Sequence, residues 1–226
     1  MAVTAPKWES KLWSYLDNSN GARCPVYARC RIRRQGGWCL DDHKRYVDRL
    51  VDSDYLNVTD YKFIRYVKFG IVFKLAEMLA YKYLRMGGVH CPPVPNEVVT
   101  LADREHPVEV HQLPLKACHG AIWRINGRWV IILKEDDTAA AKRLTLFHEA
   151  FHIIAHCKAN PVFRHRNSPG GAFNELLANH FAMFLLMPAG WVGAKWAECR
   201  ELQRMADIFQ VPESLMCIRL LSLGLL

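Results

Sequence analysis

Two histidines and a glutamate stand together at His148-Glu149-Ala150-Phe151-His152. On a helix, residues four apart project from one face, so both imidazoles can reach one metal ion with Glu149 beside them. That combination points to metal-assisted hydrolysis, in which the imidazoles hold the metal and the carboxylate handles protons. Zinc in a hydrolytic site needs a third protein ligand and an open fourth position. Residues 173–187 read as the next helix and offer Glu175 for that role. A carboxylate near a helix start also has a plainer reading, as a solvated charge favoured by the helix dipole. Glu149 is harder to set aside, because a charge within an apolar run is costly to bury without a cation or hydrogen bond to receive it.

A second constellation lies near the N-terminus. Cys24, Cys30, Cys39 and His43 have the spacing C-x5-C-x8-C-x3-H, and three thiolates with one imidazole make a closed tetrahedral shell for structural zinc. The surrounding segment has few apolar residues and the adjacent Gly36-Gly37, so a metal would supply the order a core cannot. An iron-sulfur cluster on Cys24, Cys30 and Cys39 with one further ligand is the alternative, since thiolates serve both. The bland reading is three unrelated cysteines and a surface histidine. The loops lack the tight CxxC knuckle, and their order is the reverse of a CCCH finger.

The elements that must position the first set can be read from the chain. Asp136, Asp137 and Thr138 supply N-cap chemistry, and the alanine-rich start at Ala139 predicts a helix carrying the HExxH set to about Cys157. Residues 107–115 and 120–134 predict strands, with Asn126-Gly127 set for a two-residue hairpin turn. Trp123 and Trp129 are expected in the sheet core, and Trp129 to Leu133 as the edge bordering a substrate cleft. Upstream, short helices are expected over 7–16 and from Asp41 or Asp42 to about 51. A long helix over 59–86 follows, whose Phe63, Val67, Ile71, Leu75, Met78 and Leu79 keep core-facing spacing. Gly87-Gly88 ends it, and Pro92, Pro93 and Pro95 make a stiff linker. Residues 160–171, with two prolines and two glycines, predict a mobile loop.

The stretch Arg143-Leu-Thr-Leu-Phe-His-Glu-Ala-Phe-His152, followed by Glu175-Leu-Leu-Ala-Asn-His-Phe-Ala-Met-Phe-Leu-Leu-Met-Pro188, resembles the ImmA/IrrE family of metallo-endopeptidases. There an Arg-Phe-Thr-x-x-His-Glu-x-x-His helix precedes a Glu-x-x-Ala-Asn-x-Phe-Ala-x-x-Leu-Leu-Met-Pro helix. Leu144 replaces the usual Phe and Ala150-Phe151 the common Leu-Gly, changes that remove no chemical group. The C-terminal segment from Met205 to Leu225 also resembles the small helical end of those proteins. The resemblance implies an α+β fold, a mostly helical zincin-like metallopeptidase domain with a small antiparallel sheet. It implies His148, His152 and Glu175 as ligands of a catalytic zinc, in the HExxH-plus-Glu manner of gluzincins, and Glu149 as catalytic base. It further implies a protein substrate, a helix-turn-helix transcriptional repressor in a mobile-element or stress-response switch. Three regions are expected: an N-terminal basic helical module over 1–90 with its Cys-rich loop at 24–43, a peptidase core over 91–200, and a helical end over 201–226. Asn179 is expected to orient a ligand or close the helix contact; an oxyanion donor is also needed, and His119, His156, His165 and His180 are candidates, though each reads more readily as a surface or packing histidine.

Charge is uneven along the chain. Residues 1–90 carry 16 Lys+Arg against 9 Asp+Glu, whereas the remainder carries 14 against 13. Arg23, Arg29, Arg31, Arg33 and Arg34 crowd one short segment, a candidate nucleic-acid contact. An excess of this size is also how soluble domains avoid self-association. The rival function is therefore a metal-binding regulator that uses this front end on nucleic acid or a partner, with little or no proteolysis. No secretory signal or membrane span is expected, because Lys7, Glu9, Lys11 and Asp17 interrupt the first residues and Lys62 to Lys82 interrupt the aromatic run. The eight cysteines then read as reduced thiols or ligands in a cytoplasmic protein.

Overall fold

Thr138 caps the helix that carries the histidines: its Oγ1 accepts a hydrogen bond from the Ala141 N–H at 3.2 Å. In the computed structural model, which describes Trp8, Glu9, Trp13 and residues 71–116, 118–158 and 169–226, that helix is one of six whose bounds lie within the described residues. They are α1 (Ile71–Met86), α2 (Ala139–Lys158), α3 (Pro169–Leu186), α4 (Ala189–Cys199), α5 (Leu202–Phe209) and α6 (Glu213–Leu223). A 3-10 helix spans Asn96–Ala102, and three strands, β1 (Val108–Leu113), β2 (Gly120–Ile125) and β3 (Arg128–Lys134), lie between it and α2.

The sheet is mixed and ordered β1-β3-β2, not antiparallel as expected. β2 and β3 form the predicted hairpin around Asn126 and Gly127, whose φ values of 49° and 75° suit a type I′ turn. β1 pairs parallel with β3, Val108 opposite Trp129 through Leu113 opposite Lys134. β3 thereby inserts between two strands adjacent in sequence, because its Trp129, Ile131 and Leu133 are the most apolar face available and bury best at the centre. β3 is central, so the expectation that Trp129 to Leu133 forms the cleft edge is corrected. Trp129 is core at 2% exposure, whereas Trp123, expected beside it, is 46% exposed.

α2 covers one face of the sheet, α3 packs on α2, and α1 packs on α3. Phe147, Phe151, Ile153 and Ile154 of α2 meet Leu177 and Phe181 of α3 in a core that Phe73, Leu75, Leu79 and Leu84 of α1 complete. The described part of the predicted long helix thus packs as its spacing required, and Gly88, at φ 63°, follows its end. Two buried arginines pin the layers. Arg143 donates to Val94 O at 2.7 Å, Asn96 Oδ1 at 2.6 Å and Gln210 O at 3.2 Å, tying α2 to the 3-10 segment and to the α5–α6 turn. Arg219 donates from Nε to Met187 O at 2.9 Å, satisfying a carbonyl at the end of α3.

The N-terminal residues also reach this core. Trp13 is buried with its ring 6.5 Å from that of Phe151, and Lys82 Nζ donates to the buried Glu9 carboxylate at 2.7 Å. Among the described residues no single helix is long and apolar enough to cross a membrane. The bent pair Asn174–Leu186 and Ala189–Cys199 passes by composition, but Leu176, Leu177, Ala178 and the run from Phe181 to Leu186 in that pair are buried in the core. Cys91, Cys118, Cys199 and Cys217 are free thiols. The expected helix from Asp41 or Asp42, the Cys24, Cys30, Cys39 and His43 set with its iron-sulfur alternative, the arginine cluster at 23–34, and most of the 160–171 loop lie outside the described residues.

Candidate metal centre

α2 presents His148 and His152 on one face, and α3 crosses it so that Glu175 faces both rings. His148 Nε2 lies 3.1 Å from His152 Nε2 and 3.2 Å from Glu175 Oε2, and His152 Nε2 lies 3.3 Å from Glu175 Oε1. Donors about 2.0–2.1 Å from a tetrahedral zinc stand about 3.3–3.4 Å apart; each imidazole nitrogen meets a different oxygen of Glu175, and one donor atom from each of the three residues lies within 4.8 Å of the other two. The donor chemistry fits as well: two imidazole nitrogens and one carboxylate converge, and among the described residues no lysine or arginine pairs with that carboxylate. Among the described residues this is the group able to hold a metal ion. Each side chain retains partial exposure, 14% for His148, 10% for His152 and 19% for Glu175, so the set is not fully enclosed.

The charges support one another. Burial works against protonation of His148, but hydrogen bonding and charge from Glu175, with the Glu149 charge and Asn179, raise its pKa to about 9. Burial would likewise raise the Glu175 carboxyl, yet His148 and His152 outweigh it and hold Glu175 well below the usual carboxylate range. A metal ion bound there would displace the proton on His148, so its affinity would rise with pH. Asn179 Oδ1 lies 2.8 Å from His148 Nδ1, an acceptor that in the neutral ring would keep the proton on Nδ1 and leave Nε2 to bind a metal. Asn179, expected either to orient a ligand or to close the helix contact, thus meets His148 across the α2–α3 interface.

Glu149 is buried, at 8% exposure, on the side of α2 that faces the sheet edge. There the first residue of β2 matters. A Cβ on Gly120 would collide with Thr145 Cγ2 and stand 3.0 Å from Glu149 Oε1, so the absent side chain lets the strand pass against the carboxylate. Sequence reading missed Gly120, although a glycine opening a strand marks a close approach. Three of the candidate oxyanion histidines are described. His156 packs on Trp129 with ring centroids 4.9 Å apart, and His119 Nδ1 pairs with Asp137 Oδ2 at 2.8 Å beside the start of α2. His180 is buried against Phe73, its pKa pushed down to about 3 by burial and the Arg219 charge. His165 lies outside the described residues.

A helix bearing two histidines and a glutamate under the edge of a small mixed sheet, with a carboxylate from the next helix closing the donor set, defines an α+β metallopeptidase domain of the zincin-like kind. The model of the IrrE N-terminal-like domain, peptidase family M78, matches residues 103–221, more than half of the chain, and the protein belongs to that family. The matched span contains β1 to β3 and the whole candidate centre. No curated protein matches the chain.

Proposed function

We propose that the protein is a zinc-dependent endopeptidase of the HExxH-plus-Glu type, with His148, His152 and Glu175 as metal ligands and Glu149 as catalytic base. The observation that carries this reading is the convergence of two imidazole nitrogens and one carboxylate, with contacts of 3.1–3.3 Å, beside a buried glutamate and a strand edge unpaired among the described residues. When bound there, zinc supplies Lewis acidity, lowering the pKa of a water in its open position and polarising a carbonyl. The chain supplies the rest. Among the described residues β2 pairs with β3 alone, so its outer edge offers unpaired backbone groups to an extended substrate. Gly120 lets that substrate lie against Glu149. The Glu149 carboxylate takes a proton from the attacking water and returns it to the leaving amine nitrogen as the C–O bond forms and the C–N bond breaks.

The substrate in this reading is a protein, a helix-turn-helix repressor of a mobile-element or stress-response switch. Its support is the family resemblance of the two motif helices. A structural zinc on Cys24, Cys30, Cys39 and His43 belongs to the same proposal.

The test compares wild type with Glu149→Gln, His148→Ala and Cys30→Ser. Glu149→Gln should lower hydrolysis by about 10²–10⁴-fold while retaining zinc, whereas His148→Ala should lose one zinc per chain. A second zinc lost with Cys30→Ser would support the structural site, and a single zinc insensitive to Cys30→Ser would discard it. Glu149→Gln indistinguishable from wild type in cells, on protein cleavage and on expression of controlled genes, would favour the regulator that does not depend on proteolysis.

A further inference from the structure

The two faces of the sheet differ in cover. Trp129, Ile131 and Leu133 point toward α2 and are buried. In the hairpin, Ala121 stands opposite Ile132, Trp123 opposite Val130 and Ile125 opposite Arg128. Opposed residues of an antiparallel pair project to the same face, so Ala121, Trp123 and Ile125 lie on the face turned away from α2. Trp123 is 46% and Ile125 51% exposed. Edge strands are usually blunted by proline or by outward charge. β2 has neither: its one charged residue, Arg124, turns to the α2 face, where its guanidinium lies 5.5 Å from the centre of the Trp129 ring and Nη2 donates to His106 Nε2 at 2.8 Å. The outward face of this edge is apolar at three alternate positions.

The edge that carries this face runs alongside the candidate centre. α2 runs from Thr145, beside Gly120, to His156, beside Trp129, so β2 follows the segment that carries His148 and His152. A peptide paired to the free edge of β2 presents alternate side chains to α2 and away from it. Those turned away fall beside Ala121, Trp123 and Ile125. At about 3.4 Å per residue, Trp123 lies about 10 Å along the strand from Gly120 and Ile125 about 17 Å.

We propose that Trp123 and Ile125 form a hydrophobic subsite of the substrate cleft, selecting bulky apolar side chains on the part of the substrate bound toward the C-terminal end of β2. Trp123 meets the residue about two or three positions from the scissile bond, and Ile125 the one about two further along. The inference rests on the peptidase reading and adds the class of sequence cleaved: an extended segment with alternating apolar residues on one side of the cut. Ala121, nearest the scissile bond on this face, leaves space there and imposes no comparable demand.

The test is cleavage-site profiling by mass spectrometry on a proteome extract, native and denatured, with the zinc-loaded full-length protein. Wild type is compared with Trp123→Thr/Ile125→Thr, and Glu149→Gln serves as the blank. Threonine keeps strand preference while removing the apolar surface. Wild-type sites should be enriched in Leu, Ile, Val, Met or Phe at the Trp123 position, and the double variant should lose that enrichment. For a peptide with leucine at that position kcat/KM should fall about fivefold, the size of one good cross-strand apolar pair, while a peptide with serine there changes less than about twofold. An unchanged preference in a double variant that still cleaves overturns the subsite and spares the peptidase. Self-association of wild type that the double variant loses, with preference unchanged, assigns the face to a second copy of the chain and also overturns the subsite. Wild type indistinguishable from Glu149→Gln on every substrate removes the peptidase reading and the subsite with it.

Discussion

Replacing Asn179 with leucine keeps the side-chain volume and removes the acceptor for the His148 ring. In the wild-type protein Asn179 Oδ1 lies 2.8 Å from His148 Nδ1, while His148 Nε2 lies 3.2 Å from the Glu175 carboxylate. The ring is thereby held in one tautomer and one orientation. In Asn179→Leu the Nδ1 proton loses its partner inside a mostly enclosed site, which costs about 1–3 kcal/mol, and the competing Nε2–H tautomer points a proton at the metal position. Zinc affinity should therefore fall about 10–100-fold, or about 1.4–2.8 kcal/mol. Asn179→Asp acts in the opposite direction, because a carboxylate on Nδ1 makes the imidazole a stronger donor, so its affinity should equal or exceed that of wild type. Competition against a chelator of known affinity at neutral pH measures all three proteins. Thermal melting with and without zinc checks them independently, since a tenfold weaker site gives about 1.4 kcal/mol less stabilisation at saturating metal. If folded Asn179→Leu binds zinc within about twofold of wild type, the argument from ring orientation is wrong.

Gly120→Ala forces a Cβ into Thr145 and against Glu149 Oε1, so kcat should drop at least about tenfold with zinc content unchanged; full activity would remove the strand from the site. His180, with its folded pKa pushed down to about 3, stabilises the protein above its unfolded value near 6.5, and that contribution is lost as pH falls toward 3. The loss is about 2 kcal/mol by pH ~5, so urea unfolding of His180→Leu should lose less stability than wild type between pH ~7 and ~5; equal losses would refute the assignment. Arg143→Met leaves the Val94 and Gln210 carbonyls without their donor and should cost about 2–5 kcal/mol in urea unfolding, against less than about 1 kcal/mol for the half-exposed Lys142→Met. Equal effects at the two positions would show that Arg143 does not hold the layers together.

What could be read in advance was local. The Thr138 cap, the HExxH helix and the Asn126-Gly127 turn are each specified within a few residues, and all three appear where their chemistry requires. The approach of Glu175 to both histidines was legible only through the paired motif helices, because nothing within α3 says which neighbour it will cross. Sheet order was hidden for the same reason: β1 chooses β3 over β2 through burial of a shared face, a contest between segments far apart in sequence. The Trp123 error was avoidable. A two-residue turn sets residue 125 opposite 128, so Trp123 and Trp129 must fall on opposite faces, and one layer of helix can cover only one of them. Gly120 gave a signal that only its position at a strand start could have raised.

The burial of Trp13 against Phe151, and of Glu9 with Lys82, separates two ideas of a domain. The stretch shared with the family begins at residue 103, whereas the apolar core also draws on Trp13, on Phe73, Leu79 and Leu84 of α1, and on Val94 and Val98. Common descent and cooperative stability thus have different borders in this chain. A fragment cut where the shared stretch starts would keep every group of the metal centre and yet expose the backs of Phe151 and Phe181, making the chemistry hostage to residues that take no part in it.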